Sequence, residues 1–385
     1  MKITIVQGAF LPVPAVMGGA VEKVWDALGK EFAKRGHHVT HLSRQHCDLP
    51  TEELAQGVQH TRIRGFNAPG SLFFLKALDL LYSMRVLRLL PAADILITNT
   101  FWLPIIARRP SRGQTYVHVG RYPKGQMRFY RNAARLQTVS TAVAEAIGNE
   151  APRLKSRIRV IPYPMIPPSL NVAIPNGIVR ERELLYVGRI HPEKGLDLLL
   201  AAVALIPAER LGSWNIVIVG PSELRHGGGG DEYLNYLKSI STAIASRIHW
   251  VGPIFDPAEL AKVYRRASLF VYPSLAEMGE TFGLAPLEAM AQGCPPMVSD
   301  LHCFRDYLHA GVNGFTFNHR VTHPAADLAR SIENCLSDTD RLERVGINAQ
   351  LTAQNYSLQR IAPAYLEDFE SILNENAIVG RHHGA

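Results

Sequence analysis

Two glutamates raise the first chemical question. In GETFGLAPLEAMAQG, residues 279–293, Glu280 and Glu288 stand eight positions apart around Gly283. Gly283 lets a backbone come close to a ligand. Pro286 suits a first helical turn and Gly293 the position after the last. Glu288 then falls in the first turn, where the helix dipole favours negative charge. It is either a capping carboxylate or the acceptor of two ribose hydroxyl protons, with N–H groups near Gly283 holding a phosphate. Glu280, before the turn, is expected to project into a cleft.

Two other stretches suit anions. In YVGRIHPEKG (186–195), Arg189 and Lys194 flank Pro192 just before a helix. Two cations at a helix N-terminus make a diphosphate clamp, and the plainer reading is a solvated loop. In MGGAVEK (17–23), Gly18 and Gly19 precede a helix. They form either an anion site or a tight turn. No GxGxxG fingerprint accompanies them, which argues against a dinucleotide cofactor.

These stretches follow strands. KITIVQ, HHVTHLS, DILITN, TYVHV and IRVIPYP read as strands, with GGAVEKVWDALGKEFAKRG and TAVAEAIGNE as helices. A Pro- and Asn-rich linker follows, and the pattern restarts. ELLYVG, WNIVIVG, RIHWVG, SLFVYP and PPMVSD read as strands. GLDLLLAAVALIP, DPAELAKVYRRA, LAPLEAMAQG and FRDYLHAG read as helices. Strand–helix alternation implies parallel sheets covered by helices. The prediction is an α/β chain of two doubly wound domains, 1–165 and 183–356. A linker spans 166–182, and a last helix, 357–376, is expected to cross back to the first domain. HGGGG at 226–230 reads as a mobile loop. Ligands in such folds bind at the carboxyl ends of the strands.

Composition sets the bounds. A chain of 385 residues with 19% charged residues is globular and long enough for two cores. Its four cysteines, Cys47, Cys294, Cys303 and Cys335, form no CxxC pair. That suggests neither a zinc site nor a disulfide framework, and a reducing cytosol fits. The first residues lack signal-peptide features, and no apolar run is long enough to span a bilayer. Residues 1–165 carry 23 Lys and Arg against 10 Asp and Glu, and residues 166–385 carry 18 against 24. A basic half beside a mildly acidic one suggests an anionic surface or substrate for the first domain.

Taken together, the stretches resemble glycosyltransferase family 4, whose members are retaining, nucleotide-sugar-dependent and of the GT-B fold. The likeness rests on E-x7-E after a strand ending in Pro-Ser, on GGAVEK, VGRIHPEKG and VSTAVAEAI (139–147), and on WVGPI (250–254). It implies two Rossmann-like domains facing a central cleft. It places Gly18 and Gly19 near the donor phosphates and Arg189 and Lys194 on the diphosphate. Glu280 faces the donor sugar and Glu288 the ribose. Phe282, Gly283 and Leu284 lie on the donor side, and Val251, Gly252 and Pro253 edge the nucleobase. His118, in YVHVG, stands at the mouth of the cleft near the reacting sugar. Relatives often carry Asn-Gly where this chain reads IPYPMIPP, so the hinge differs. A front-face mechanism is implied, with His118 and Glu280 as catalytic residues and a UDP- or GDP-sugar as donor. An epimerase or hydrolase on the same plan, or a degenerate binding subunit, are the alternatives.

No histidine spacing suggests a metal, and the sole D-x-D, Asp338-Thr339-Asp340, reads as a helix N-cap. Neither a divalent ion nor a cofactor is expected. SLFFLKALDLLYSMRVLRLL (71–90) reads as a buried helix or an interfacial one. GRYPKGQMRFYRNAAR (120–135) interleaves Arg121, Lys124, Arg128 and Arg131 with aromatics. It suits a glycan, lipid-linked or phosphorylated acceptor, or an anionic membrane, and no nucleic-acid fold accompanies it. The expected setting is cytoplasmic, with peripheral attachment to the inner face of a bacterial membrane as a variant, in surface glycan or glycolipid synthesis.

Overall fold

The computed structural model describes residues 1–166 and 180–382, and side chains as far as residue 375. Most of the expected linker lies outside the described residues. The chain divides into two compact units, residues 1–164 with 358–385, and residues 165–357.

The N-terminal unit contains β1 (Lys2–Val6), α1 (Ala20–Lys34), β2 (His38–Arg44), β3 (Glu52–Ala55), β4 (Val58–Ile63), α2 (Leu72–Leu89) and β5 (Ile95–Thr98). Then come α3 (Leu103–Ile106), β6 (Gln114–Val119), β7 (Arg135–Thr138), α4 (Thr141–Glu150) and β8 (Ile158–Val160). The sheet order is β3-β4-β2-β1-β5-β6-β7-β8. β3 pairs antiparallel to β4 across a turn in which Gln56 and Gly57 both have positive φ, 50° and 81°. That is the primed turn geometry that matches strand twist. The remaining pairs are parallel.

The C-terminal unit contains β9 (Glu181–Val187), α5 (Leu196–Leu205), α6 (Ala208–Leu211), β10 (Asn215–Val219), α7 (Gly230–Ile240), β11 (Ile248–Gly252) and α8 (Pro257–Arg266). It continues with β12 (Ala267–Tyr272), α9 (Leu284–Ala291), β13 (Pro296–Ser299), β14 (Phe315–Phe317), α10 (Pro324–Leu336) and α11 (Thr339–Ala353). All its strands are parallel, in the order β11-β10-β9-β12-β13-β14. This doubly wound order reverses between β9 and β12, where ligand crevices form. Strand interiors such as Leu184–Tyr186 and Leu269–Val271 are fully buried, as expected for a sheet covered on both faces.

The last helix, α12 (Leu358–His382), belongs to the N-terminal unit. Its Tyr365 and Phe369 pack edge-on against Trp25 and Phe32 of α1. Its buried Asp368 accepts from Tyr116 Oη at 2.9 Å and lies 2.9 Å from Arg135 Nε.

Two local expectations need correction. FRDYLHAG is not an α-helix but a short 3-10 turn, His302–Asp306. Tyr307 ends it by turning inward to donate to the Gly283 carbonyl, and Asn313 Nδ2 holds the Tyr307 carbonyl. The glycine run at 226–230 is a hydrogen-bonded turn. The N–H groups of Gly228, Gly229 and Gly230 bond the carbonyls of Glu223, Ile190 and Ser222. A Cβ on Gly228 would fall 2.1 Å from the Ser222 carbonyl oxygen, so the run is sterically required. Asp338 does cap α11, accepting from the Arg341 N–H at 2.9 Å.

Candidate donor and acceptor sites

In the C-terminal unit the functional side chains gather where strand order reverses. β9 ends at Val187 and leads through Arg189 to Lys194, and β12 ends at Tyr272 and leads to Ser274 and Glu280. Gly195 has φ 66°, and a Cβ there would sit 2.1 Å from the Pro273 carbonyl oxygen. Glycine therefore lets the two strand ends touch.

The contact carries a buried ion pair. Lys194 Nζ lies 2.7 Å from Glu280 Oε2, with both side chains about a tenth exposed. Tyr272 Oη and Ser274 Oγ donate to the same oxygen at 3.0 and 3.3 Å. Glu280 is thus buried and held. Three donors converge on Oε2 and turn the carboxylate toward Lys194. The other cation, Arg189, is half exposed. It pairs with Glu193 at 2.7 Å and donates to the Gly227 carbonyl at 2.8 Å. An exposed i,i+4 pair contributes little and exchanges readily for a stronger anion. Both cations of the expected clamp therefore already hold partners that a diphosphate must displace or share.

Gly283, with φ 78°, is the N-cap of α9, and its backbone conformation is reserved for glycine. A Cβ there would strike the Phe304 ring at 2.4 Å. Glu288 lies in the second turn of α9 rather than the first, so the dipole argument for it weakens. Tyr264 Oη donates to its Oε2 at 3.2 Å. Phe282 is core, its ring packed on Tyr307 and Tyr356, and contributes backbone alone to the surface. Leu284 is half-buried at the start of α9. Val251 and Pro253 are exposed around Gly252 at the end of β11.

In the N-terminal unit, Gly18 and Gly19 have φ 81° and 109°, and Gly19 caps α1. A Cβ on Gly19 would fall 2.2 Å from the Glu22 carboxylate, which lies back over the helix start. Burial raises the Glu22 pKa, while its own backbone N–H and Arg121 oppose the rise.

His118 is buried. It is 3% exposed, edge-on to Trp25. Its Nδ1 meets Gln137 Oε1 at 2.6 Å and its Nε2 meets Tyr163 Oη at 3.0 Å. Gln137 Nε2 donates to the carbonyls of Thr138 and Ile161, both at 2.8 Å. That fixes the amide, so Oε1 must accept from Nδ1–H and Nε2 accepts from the tyrosine. Burial holds the ring neutral, its pKa pushed down to about 4 against the opposing Gln137 bond. Arg121, Lys124, Arg128 and Arg131 are all exposed. The sequence reading missed Gln137, Tyr163, Tyr272, Ser274 and Tyr264. Tyr163 lies in the IPYP departure, and Glu22 in the quoted glycine motif. Nothing local marked Gln137.

Away from these sites, His46, Cys47 and Asp48 bring three potential ligand atoms within 4.8 Å of one another. They are consecutive on a largely exposed turn, and Cys47 Sγ donates to Asp48 at 3.6 Å.

Comparison with known proteins fits the C-terminal geometry. Residues 174–352 match the family described as glycosyl transferases group 1. The matched segment, a little under half of the chain, is similar to that family. HepE of Anabaena, solved in complex with UDP, superposes with a TM-score of 0.72 at 20% identity, covering 96% of this chain and all of that one. The whole chain thus has the two-domain α/β fold of GT-B structures. D-inositol 3-phosphate glycosyltransferase of Nocardia farcinica is 32% identical over 194 residues, 49% of this chain and 40% of that protein. The match therefore spans less than half the length of that relative. Spore coat protein SA of Bacillus subtilis is 25% identical over 398 residues, 96% of this chain and 99% of that one. The matched segment holds Arg189, Lys194, Glu280 and Glu288, while His118 and Glu22 lie outside it.

Proposed function

We propose that the protein is a retaining glycosyltransferase of the family 4 type. It would move a hexose from a nucleoside diphosphate sugar to an acceptor hydroxyl in bacterial surface glycan or glycolipid synthesis. The observation that carries this reading is the buried Lys194–Glu280 pair beside Arg189 and the α9 N-terminus, at the reversal point of the segment similar to group 1 glycosyl transferases. Backbone N–H groups and fixed cations there suit a leaving diphosphate whose charge grows in the transition state. Glu288 suits the ribose hydroxyls, and Val251, Gly252 and Pro253 the base. UDP is the favoured nucleotide, because HepE was solved with it.

The N-terminal unit takes the acceptor. Gly18 and Gly19 keep their place toward the donor phosphates, Glu22 and the fixed His118 imidazole are the polar groups of the acceptor side, and Arg121, Lys124, Arg128 and Arg131 lie outside. A phosphorylated or lipid-linked acceptor fits those cations. The D-inositol 3-phosphate glycosyltransferase match is consistent with a phosphorylated one. In this reading Glu280 acts through Lys194 and the donor sugar, and the released phosphate oxygen takes the acceptor proton. Binding a diphosphate raises the melting temperature by mass action. A thermal-shift screen across UDP, GDP, ADP and dTDP tests the reading. A rise with UDP supports it, and no rise with any nucleoside diphosphate overturns it.

A further inference from the structure

Helix α2 is apolar nearly all round, yet it turns several of its largest apolar side chains to solvent. The side chains it buries include Asp79, Tyr82, Ser83 and Val86. The side chains it exposes include Leu72 (67%), Phe73 (75%), Phe74 (60%), Leu81, Met84 and Leu89. An ordinary surface helix does the reverse. This orientation has a local cause. Asp79 accepts the backbone N–H groups of Phe101 and Trp102, both at 3.1 Å, at the start of α3. That turns the side bearing Asp79, Tyr82, Ser83 and Val86 inward and leaves Phe73, Phe74, Leu81 and Met84 toward solvent.

The exposed face is flanked by cations. Lys76 and Arg88 are exposed on α2 itself. Lys76 Nζ stands 4.7 Å from the Phe101 ring, and Phe101 packs on Tyr130 at 6.4 Å. The face therefore runs on to the turn bearing exposed Arg128, Phe129 and Arg131. Residues 61–140 hold thirteen Lys and Arg and two acids. Of those acids Asp79 is buried, and Asp94 accepts the Lys2 N–H at 2.7 Å.

We propose that the outer face of α2 is a docking surface for an anionic lipid bilayer. Leu72, Phe73 and Phe74 enter the interface, and the surrounding cations rest on the headgroups. The charge decides the occupant. Apolar side chains edged by cations, with no exposed carboxylate on the helix, match a surface that is apolar below and anionic above. No helix among the described residues is long and apolar enough to cross a membrane, so attachment is by lying on it. The inference stands apart from the transferase reading.

Sedimentation of the full chain with vesicles tests it. Phosphatidylcholine vesicles are compared with an equal mixture of phosphatidylcholine and phosphatidylglycerol. Wild-type protein should pellet with the mixed vesicles and be released by salt. Phe73→Ser with Phe74→Ser should weaken partitioning roughly tenfold or more at every salt concentration. Lys76→Glu with Arg88→Glu should weaken it by roughly fivefold or more per residue, and mainly at low salt. Wild-type protein left in the supernatant at low salt overturns the proposal, as does a phenylalanine variant that binds undiminished. So does a concentration-dependent dimer that the phenylalanine variant abolishes, since the face would then be a self-contact. UDP calorimetry on the same proteins separates the two readings. Vesicle binding by a protein that binds none of UDP, GDP, ADP and dTDP defeats the transferase reading and leaves this one standing.

Discussion

Replacing Lys194 should damage stability and nucleotide binding by separate routes. At 2.7 Å the Lys194–Glu280 attraction is about 6 kcal/mol at an effective dielectric of about 20, largely offset by desolvation of both groups. Lys194→Ala removes the attraction and leaves the buried Glu280 carboxylate without its cation. The cost of breaking such a pair is about 3–5 kcal/mol. The Tyr272 and Ser274 hydroxyls still solvate Oε2, so the lower end, about 3 kcal/mol, is expected. Lys194→Met with Glu280→Gln removes both charges and should return within about 1 kcal/mol of wild type. Binding should not be rescued. Both proteins lose the cation on the diphosphate, worth about 1–3 kcal/mol in UDP affinity. Hydrogen exchange of the β9 and β12 amides reads the stability of the C-terminal unit alone, and calorimetry reads UDP. If Lys194→Ala costs under about 1 kcal/mol, or the double variant is no more stable than the single one, the pair is not the buried element described.

Other expectations follow from the same geometry. Arg189→Ala should leave stability within about 0.5 kcal/mol, its partner being an exposed i,i+4 glutamate, yet weaken UDP by about 1–3 kcal/mol; unchanged calorimetry removes it from the clamp. Glu280→Gln should bind UDP no more weakly than wild type and transfer sugar poorly, and the opposite pattern would reverse the roles of the two glutamates. Glu288→Ala should weaken UDP more than 2′-deoxy-UDP, and equal losses would refute a ribose contact. His118 is depressed to about 4, and burial also lowers the pKa values of His41 and His60. The unfolded chain therefore binds more protons below pH 6.5, so their contribution is present at neutral pH and lost as pH falls toward 4. His118 alone accounts for about 3 kcal/mol of that loss. Asp79, raised to about 6 by burial, works the other way, gaining stability as pH falls from about 6 to 3.8. Urea unfolding from pH 8 to pH 4 should show the slope shrink in His118→Asn, and an identical slope would refute the assignment.

The alternation of strands and helices was legible because parallel strands buried on both faces read as continuous apolar runs, ELLYVG and SLFVYP among them. The β3–β4 hairpin was not, since Glu52, Glu53 and Gln59 give it a polar surface and Gln56-Gly57 is not a usual signal for its turn. The path of α2 was visible but not its sense. Apolar residues ring that helix, so no period marks an inner face. Two N–H groups more than twenty positions downstream, at Phe101 and Trp102, select the side carrying Asp79. A helix oriented by a partner distant in sequence cannot be oriented by its own pattern.

The site divides along the same line. Arg189, Lys194, Glu280 and Glu288 stood out because each lies within five residues of a glycine on a connection that follows a strand, where local sequence dictates geometry. Their pairing was not identifiable. The expectation of a two-cation clamp and a glutamate facing a cleft assigned each side chain a ligand and none of them a partner within the chain. The fold instead brings Lys194 and Glu280 together from loops 86 positions apart. His118 shows the same limit more sharply. Taken alone it read as a core histidine, and only the family resemblance suggested a reactive imidazole, but its state depends on Gln137, whose amide is oriented by the carbonyls of Thr138 and Ile161. The proton thus sits on Nδ1, and Nε2, under the Tyr163 hydroxyl, is the atom left to meet a substrate hydroxyl. Chemistry at His118 therefore requires Tyr163 to yield its hydrogen bond or to relay it. Tyr163→Phe should alter the pH profile of turnover while leaving UDP affinity unchanged. A variant whose profile overlays wild type would show that the tyrosine only fills space.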